Sequence, residues 1–324
     1  MYSHLVVQSD FQKFCDPRSP VEMIVSGFGF TEGPIWHPIK QRLLFSDVED
    51  SVQYWVDPKI GQSSLTIFRT PSNQANGNAL DNMGRVISCE HASSAVVRHD
   101  HNGKIINVLA DKFKGKTLNS PNDVIVDSKG RIWFTDPIFG RIREKLGVLR
   151  EQELTFQGVY CIVGDELKLI SSKMQQPNGL CLSRDERQLY VNDSWDPSIH
   201  CFDLDAKGNV LSEKRWAEIS GEGEGVPDGL KMDATGRILC SGPGGIHVLS
   251  PDKTLLGIIR VPETVSNFCF GGIDGTTLFI TARKSVYRVD TKSRKPSMKV
   301  TDFENFTSNY VGQQRPLGGL SKDE

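Results

Sequence analysis

The sequence lacks an excess of charge of either sign. Its 324 residues carry 38 Lys and Arg against 40 Asp and Glu, a net charge of −2. No long-range field therefore draws in nucleic acid or an anionic membrane. No apolar run approaches the ~20 residues needed to cross a bilayer. The first twenty residues have no basic start followed by a long apolar stretch, so a secretory signal is not expected. The seven cysteines are odd in number and include no pair at CxxC spacing. Most stand in apolar runs such as VISCEH and NFCFGG. That pattern argues against a disulfide frame or a zinc site; buried free thiols in a reducing, cytoplasmic setting are expected. Also missing are GxSxG and HExxH, the marks of a serine nucleophile elbow and a zinc protease. ADKFKGKT at 110–117 approaches a phosphate-binding loop, but Ala110 stands where the leading glycine belongs. Amphipathic helical periodicity is scarce throughout.

What the chain has instead is repetition. EGPIWHPIKQRLLFSDV begins at Glu32, NGNALDNMGRVISCEH at Asn76 and NDVIVDSKGRIWFTDP at Asn122. NGLCLSRDERQLYVND begins at Asn178, DGLKMDATGRILCSGP at Asp228 and NFCFGGIDGTTLFITA at Asn267. Successive starts are 44, 46, 56, 50 and 39 residues apart. Each phrase reads as strand, turn, strand, and third and fourth strand candidates follow. Six units of about four strands each predict an all-β, six-bladed β-propeller. The last unit has a doubtful fourth strand. MKVTDF, or apolar VEMIVSGF at 21–28, is available to complete it, the latter by joining the two ends of the chain. The expected organisation is one propeller over 21–312, with tails at 1–20 and 313–324.

The first position of each phrase carries the chemistry. In a propeller the first strand of every blade lines the central channel, so equivalent positions face one point on the axis. Those positions hold Glu32, Asn76, Asn122, Asn178, Asp228 and Asn267, all with side-chain oxygen acceptors. Asx residues often begin turns, which accounts for any one position but not for all six, and not for a glutamate. Two carboxylates and several amide oxygens, with no thiolate among them, suit a hard divalent cation. Ca²⁺ fits that set best, with Mg²⁺, Mn²⁺ and Zn²⁺ as alternatives.

TEGPIWHP, LNSPNDVIVDSKGRIWFTDP, QPNGLCLSRDERQLYVNDS and VPDGLKMDATGRIL, in this order, resemble the senescence-marker-protein/gluconolactonase family of metal-dependent lactonases. CEHASSAVVRHD followed by LADKFKGKTLNSPND is similar to its bacterial gluconolactonase branch. The resemblance spans about residues 22–295. It implies a six-bladed propeller with one metal on the axis, held by Glu32, Asn178 and Asp228, with Asn122 touching it directly or through water or substrate. Animal members of the family carry an arginine two residues before that last asparagine; here the position is Ser120, so the sugar contacts of the animal enzymes do not transfer.

The expected reaction is hydrolysis of a lactone, a sugar lactone such as gluconolactone, to a hydroxy acid. Asp228 is the expected general base. Asn76, Asn122, His91, Asp136 and Asp193 are candidates for substrate contact, the last three from the ends of second strands. Cys89, adjacent to Glu90-His91, is expected in the core, because neighbours on a strand face opposite ways. Two other functions share the fold. One is a Ca²⁺-dependent phosphotriesterase resembling diisopropyl fluorophosphatase. The other is a non-catalytic propeller that binds a partner.

Overall fold

A computed structural model describes residues 4–296. Six antiparallel sheets, each built on four strands, are arranged as blades, as the repeats predict. Blade 1 comprises Thr31–His37, Arg42–Asp47, Val52–Val56 and Thr66–Arg69. Blade 2 comprises Ala75–Leu80, Val86–Glu90, Ala95–His99 and Ile105–Ala110. Blade 3 comprises Val124–Val126, Ile132–Asp136, Gly158–Val163 and Glu166–Ser171. Blade 4 comprises Pro177–Leu182, Gln188–Asp193, Ser198–Leu204 and Val210–Glu218. Blade 5 comprises Leu230–Met232, Ile238–Gly242, Gly245–Leu249 and Leu255–Ile259.

Blade 6 takes three strands from the end of the repeat region, Val265–Gly271, Thr277–Ala282 and Ser285–Asp290. Its outer strand is Glu22–Ser26, paired with Ser285–Asp290. The VEMIVSGF segment therefore closes the ring. MKVTDF and 313–324 lie outside the described residues.

The core is divided among the gaps between blades. Strand neighbours point to opposite faces, so Phe134 packs toward blade 2 while Trp133 packs toward blade 4. Six apolar clusters result, one for each pair of adjacent blades. Cys89 is fully buried in the cluster between blades 2 and 3, and all seven cysteines are buried and unpaired. Lys112–Phe113 and Lys116–Thr117 form a small hairpin, so ADKFKGKT is a strand turn with no helix behind it.

The segment expected to be an N-terminal tail is instead structural where it is described. Leu5–Val6 adds a fifth strand to blade 5, pairing with Ile258 and Gly257. Phe11, Phe14 and Cys15 are fully buried between blades 5 and 6. The reason is spatial: a Cβ on Gly257 would lie 2.5 Å from the Phe11 ring, so that glycine makes the room Phe11 fills.

The gap between blades 1 and 2 has few apolar residues and holds a polar network in their place. Gln53 Nε2 donates to Asn78 Oδ1 (2.7 Å) and to Ser88 Oγ (3.0 Å), and His99 Nε2 lies 3.2 Å from Ser88 Oγ. Burial lowers the pKa of His99 from 6.5 to about 4. The unfolded chain takes up this proton between those values, so the native state loses stability as pH falls through the window from 6.5 to 4. Urea unfolding of the wild type and His99→Gln across that window should converge by up to roughly 3 kcal/mol. Parallel curves would show that His99 is not held neutral.

Candidate functional site

The inner strands approach so closely at the axis that backbone geometry there is tightly set. A Cβ on Gly179, the residue after Asn178, would come within 2.0 Å of Asp228 O. Gly33, the residue after Glu32, has φ +52° and would meet Asn76 O at 2.1 Å. The recurring Glu-Gly, Asn-Gly and Asp-Gly pairs thus have two parts: the first residue supplies an oxygen and the second lets adjacent blades meet. Register shifts fall at these positions in four blades: between Glu32 and Ile35, Ala75 and Asn78, Pro177 and Leu180, and Val265 and Asn267. Such bulges re-aim a side chain. In blades 3 and 5, Asn122 and Asp228 stand two residues ahead of their strands. Their backbone amides donate to Thr135 O (2.8 Å) and Ser241 Oγ (3.0 Å).

Glu32, Asn76, His91, Asn122, Asn178 and Asp228 line one cavity of about 190 Å³. The sixth equivalent residue, Asn267, is absent from that lining. It accepts from Lys231 Nζ at 3.1 Å and from the amide of Phe268 at 2.9 Å. Asp136 and Asp193 do not line it either. Asp193 accepts from the amides of Gln175 (2.6 Å), Gln176 (3.0 Å) and Trp195 (2.9 Å). Asp136 accepts from the amide of Asn119 (2.8 Å), and burial raises its pKa to about 7. Asp47 does the same for Gly29 and Phe30. The acid at the end of the second strand is therefore a recurring brace for the segment leading into its own blade.

Two carboxylates in the cavity lack an ion-pair partner among the described residues. Burial raises the pKa of Glu32 to about 8, against the pull of a bond from Gly33 N (2.8 Å). Burial, then repulsion from Glu32 and Asp123, pushes Asp228 well above the usual carboxylate range. Lys231 lies 3.4 Å from Asp123, so it offsets one of the three acids. The two that remain match the charge of a divalent cation.

The amides fit the same group. Asn178 Nδ2 donates to Ser194 Oγ at 3.0 Å, and Ser194 Oγ donates to Pro227 O at 2.6 Å. Asn178 Oδ1 and Asn76 Oδ1 are buried without a hydrogen-bond partner. Orphaned buried oxygens are costly and suit a cation. The described residues hold no group of three or more His, Cys, Asp or Glu placed for a metal; two carboxylates supplemented by amide oxygens form a different set, the harder one that Ca²⁺ takes.

The cavity wall holds residues the sequence reading does not identify. Phe139, Arg143 and Leu146 come from an insertion at 137–157, between the second and third strands of blade 3. Ser194, Trp195 and Val226 come from blade connections. The signal for the insertion is the 56-residue spacing from Asn122 to Asn178, the longest of the five. Arg141 fastens it to the ring, with Nε donating to Asn119 O (2.8 Å) and Nη2 to Leu118 O (2.5 Å). Ser120 serves the same end: its Oγ donates to Pro137 O (2.6 Å) and accepts from Gly140 N (3.0 Å).

Residues 30–284 match the family described as SMP-30/Gluconolactonase/LRE-like region. The chain belongs to this family. It is 34% identical over 301 residues to the gluconolactonase of Zymomonas mobilis, covering 86% of this chain and 83% of that protein. Pentonolactonase XacC of Haloferax volcanii is 27% identical over 266 residues, covering 77% and 80%. A solved gluconolactonase structure from Xanthomonas campestris superimposes with a TM-score of 0.82 at 28% identity, covering 90% of this chain and 95% of that one. The match begins two residues before Glu32 and runs past Asn267, so it takes in all six axial positions. No helix among the described residues is long and apolar enough to cross a membrane.

Proposed function

We propose that the chain hydrolyses lactones to hydroxy acids at the axial cavity, with a divalent cation held by Glu32, Asn178 and Asp228, and with Asn122 beside it. The observation that carries this reading is the pair of unpaired carboxylates, Glu32 and Asp228, facing amide oxygens that lack partners. The gluconolactonase and pentonolactonase relatives support the choice of a lactone as substrate. Ca²⁺ suits the donors best; Mg²⁺, Mn²⁺ and Zn²⁺ are the alternatives.

When bound, the cation supplies Lewis-acid polarisation of the ester carbonyl and charge to offset the developing oxyanion. The chain's residues do the rest. Asp228 takes the proton of the attacking water on a carboxylate oxygen and returns it to the leaving ring oxygen, which becomes the hydroxyl of the product. Glu32 remains a fixed anion, held by Gly33 N. Asn178, anchored through Ser194, presents its oxygen without rearranging. Phe30, Phe139, Leu146, Trp195 and Val226 form the apolar part of the wall, against which the ring carbons rest.

The test is turnover of glucono- and pentonolactones by the purified protein, with and without chelator, beside a phosphotriester. Lactone hydrolysis that chelator abolishes and Ca²⁺ restores is expected. Turnover of the phosphotriester alone would overturn the substrate, and binding of no divalent cation would overturn the cofactor. Glu32→Gln, which keeps the shape and removes one charge, should weaken Ca²⁺ binding by about 10-fold or more, since one pKa unit of interaction is about 1.4 kcal/mol. Calorimetric titration reads this directly.

A further inference from the structure

His91 stands at the meeting of the insertion with the axial amides. Its Nδ1 is 2.7 Å from Leu146 O in the insertion. A carbonyl only accepts, so Nδ1 carries the proton and donates it. In the neutral ring Nε2 is then a lone pair. That nitrogen faces Asn76 Nδ2 at 3.3 Å and Asn122 Nδ2 at 3.5 Å. A lone pair can be met only by the N–H side of an amide, so the chemistry of the ring fixes which way both asparagines point. Asn76 Oδ1, on the opposite side of its amide, is buried and has no partner.

The ring is itself held in place. Arg150 Nη2 donates to His91 O at 2.9 Å. Gly140 packs so closely that a Cβ there would lie 2.6 Å from His91 Cβ. Arg150 also bonds Ser94 Oγ at 2.5 Å, tying the insertion to the same blade.

We propose that His91 is a positioning residue: its Nε2 lone pair turns the Asn76 and Asn122 oxygens toward the axial cation site, and the insertion at 137–157 fixes the ring that does so. This rests on the reading that the cavity holds a divalent cation. The part His91 plays is thus exerted through the two amides. It explains why the connection in blade 3 is long: its carbonyl at Leu146 selects the tautomer. Partners that orient metal-site groups commonly affect affinity by about 10- to 100-fold.

The test is Ca²⁺ affinity by calorimetry on metal-stripped protein, with thermal unfolding as a control on folding. His91→Phe keeps the ring shape and removes both nitrogens. His91→Asn retains a donor for Leu146 O but its arm stops short of the amides. Both should bind Ca²⁺ about 10- to 100-fold more weakly. His91→Gln, whose Oε1 offers an acceptor to the amides, should remain near wild type. If the Phe variant does not fold, the Asn variant decides. Wild-type affinity in the Phe or Asn variant would overturn the proposal. So would loss in the Gln variant equal to that in Phe with folding intact, since shape alone would then matter. A wild-type protein that binds no divalent cation would overturn the underlying reading as well, and that result is distinct from the other two.

Discussion

Asp228→Asn should abolish lactone hydrolysis by at least ~100-fold, the low end of what a general base contributes, even at saturating Ca²⁺. The substitution keeps an oxygen at the axis and the same volume, so the blade contacts of Gly179 and Leu230 stay in place. What it removes is a negative charge and a proton acceptor. The same variant should be more stable than the wild type when both are stripped of metal at neutral pH. Burial and Glu32 raise the Asp228 pKa, so its ionised form costs the native state stability above the usual carboxylate range. The gain should vanish near pH 3, where the carboxyl is neutral in both states. A loss of turnover together with a gain in metal-free stability is a signature that a merely structural aspartate would not give. Undiminished turnover at saturating Ca²⁺ would remove Asp228 from the role of base.

Phe14→Ala should cost about 3–5 kcal/mol of stability, the usual range for truncating a buried aromatic. Phe14 is fully buried, lies 6.3 Å from the Phe11 ring centroid, and has the Arg237 guanidinium over its face at 5.9 Å. Its carbonyl accepts from the amide of Lys292 at 2.7 Å. The backbone there also ties the N-terminal segment to the end of blade 6. Lys13→Ala, one residue away and exposed, should change stability by less than about 0.5 kcal/mol. Urea unfolding of both variants measures the contrast. A cost for Phe14→Ala below about 1 kcal/mol would mean the segment is not part of the core.

The sequence made the propeller legible because its period survives in every blade. The Glu-Gly, Asn-Gly and Asp-Gly pairs repeat for a steric reason at the axis, and steric reasons leave fixed residues behind. Five of the six axial residues share the cavity, and four of them, Glu32, Asn76, Asn178 and Asp228, are followed by that glycine. Asn267 departs, its oxygen taken up by the donor that Lys231 offers. Asp136 and Asp193 misled because a carboxylate bracing backbone amides and one facing a substrate leave the same letter at a strand end. Arg143, Leu146 and Trp195 left no periodic mark, since they lie on connections that differ from blade to blade. The N-terminal segment escaped notice because the signal for it, a glycine at 257 that makes room for Phe11, is far away in the chain.

The junction of Glu22–Ser26 with Ser285–Asp290 has a consequence for synthesis. An early strand must wait, edge unsatisfied, until the far end of the repeats has been made. The pairing that joins the two ends of the described chain is therefore the one that completes the ring around Glu32 and Asp228.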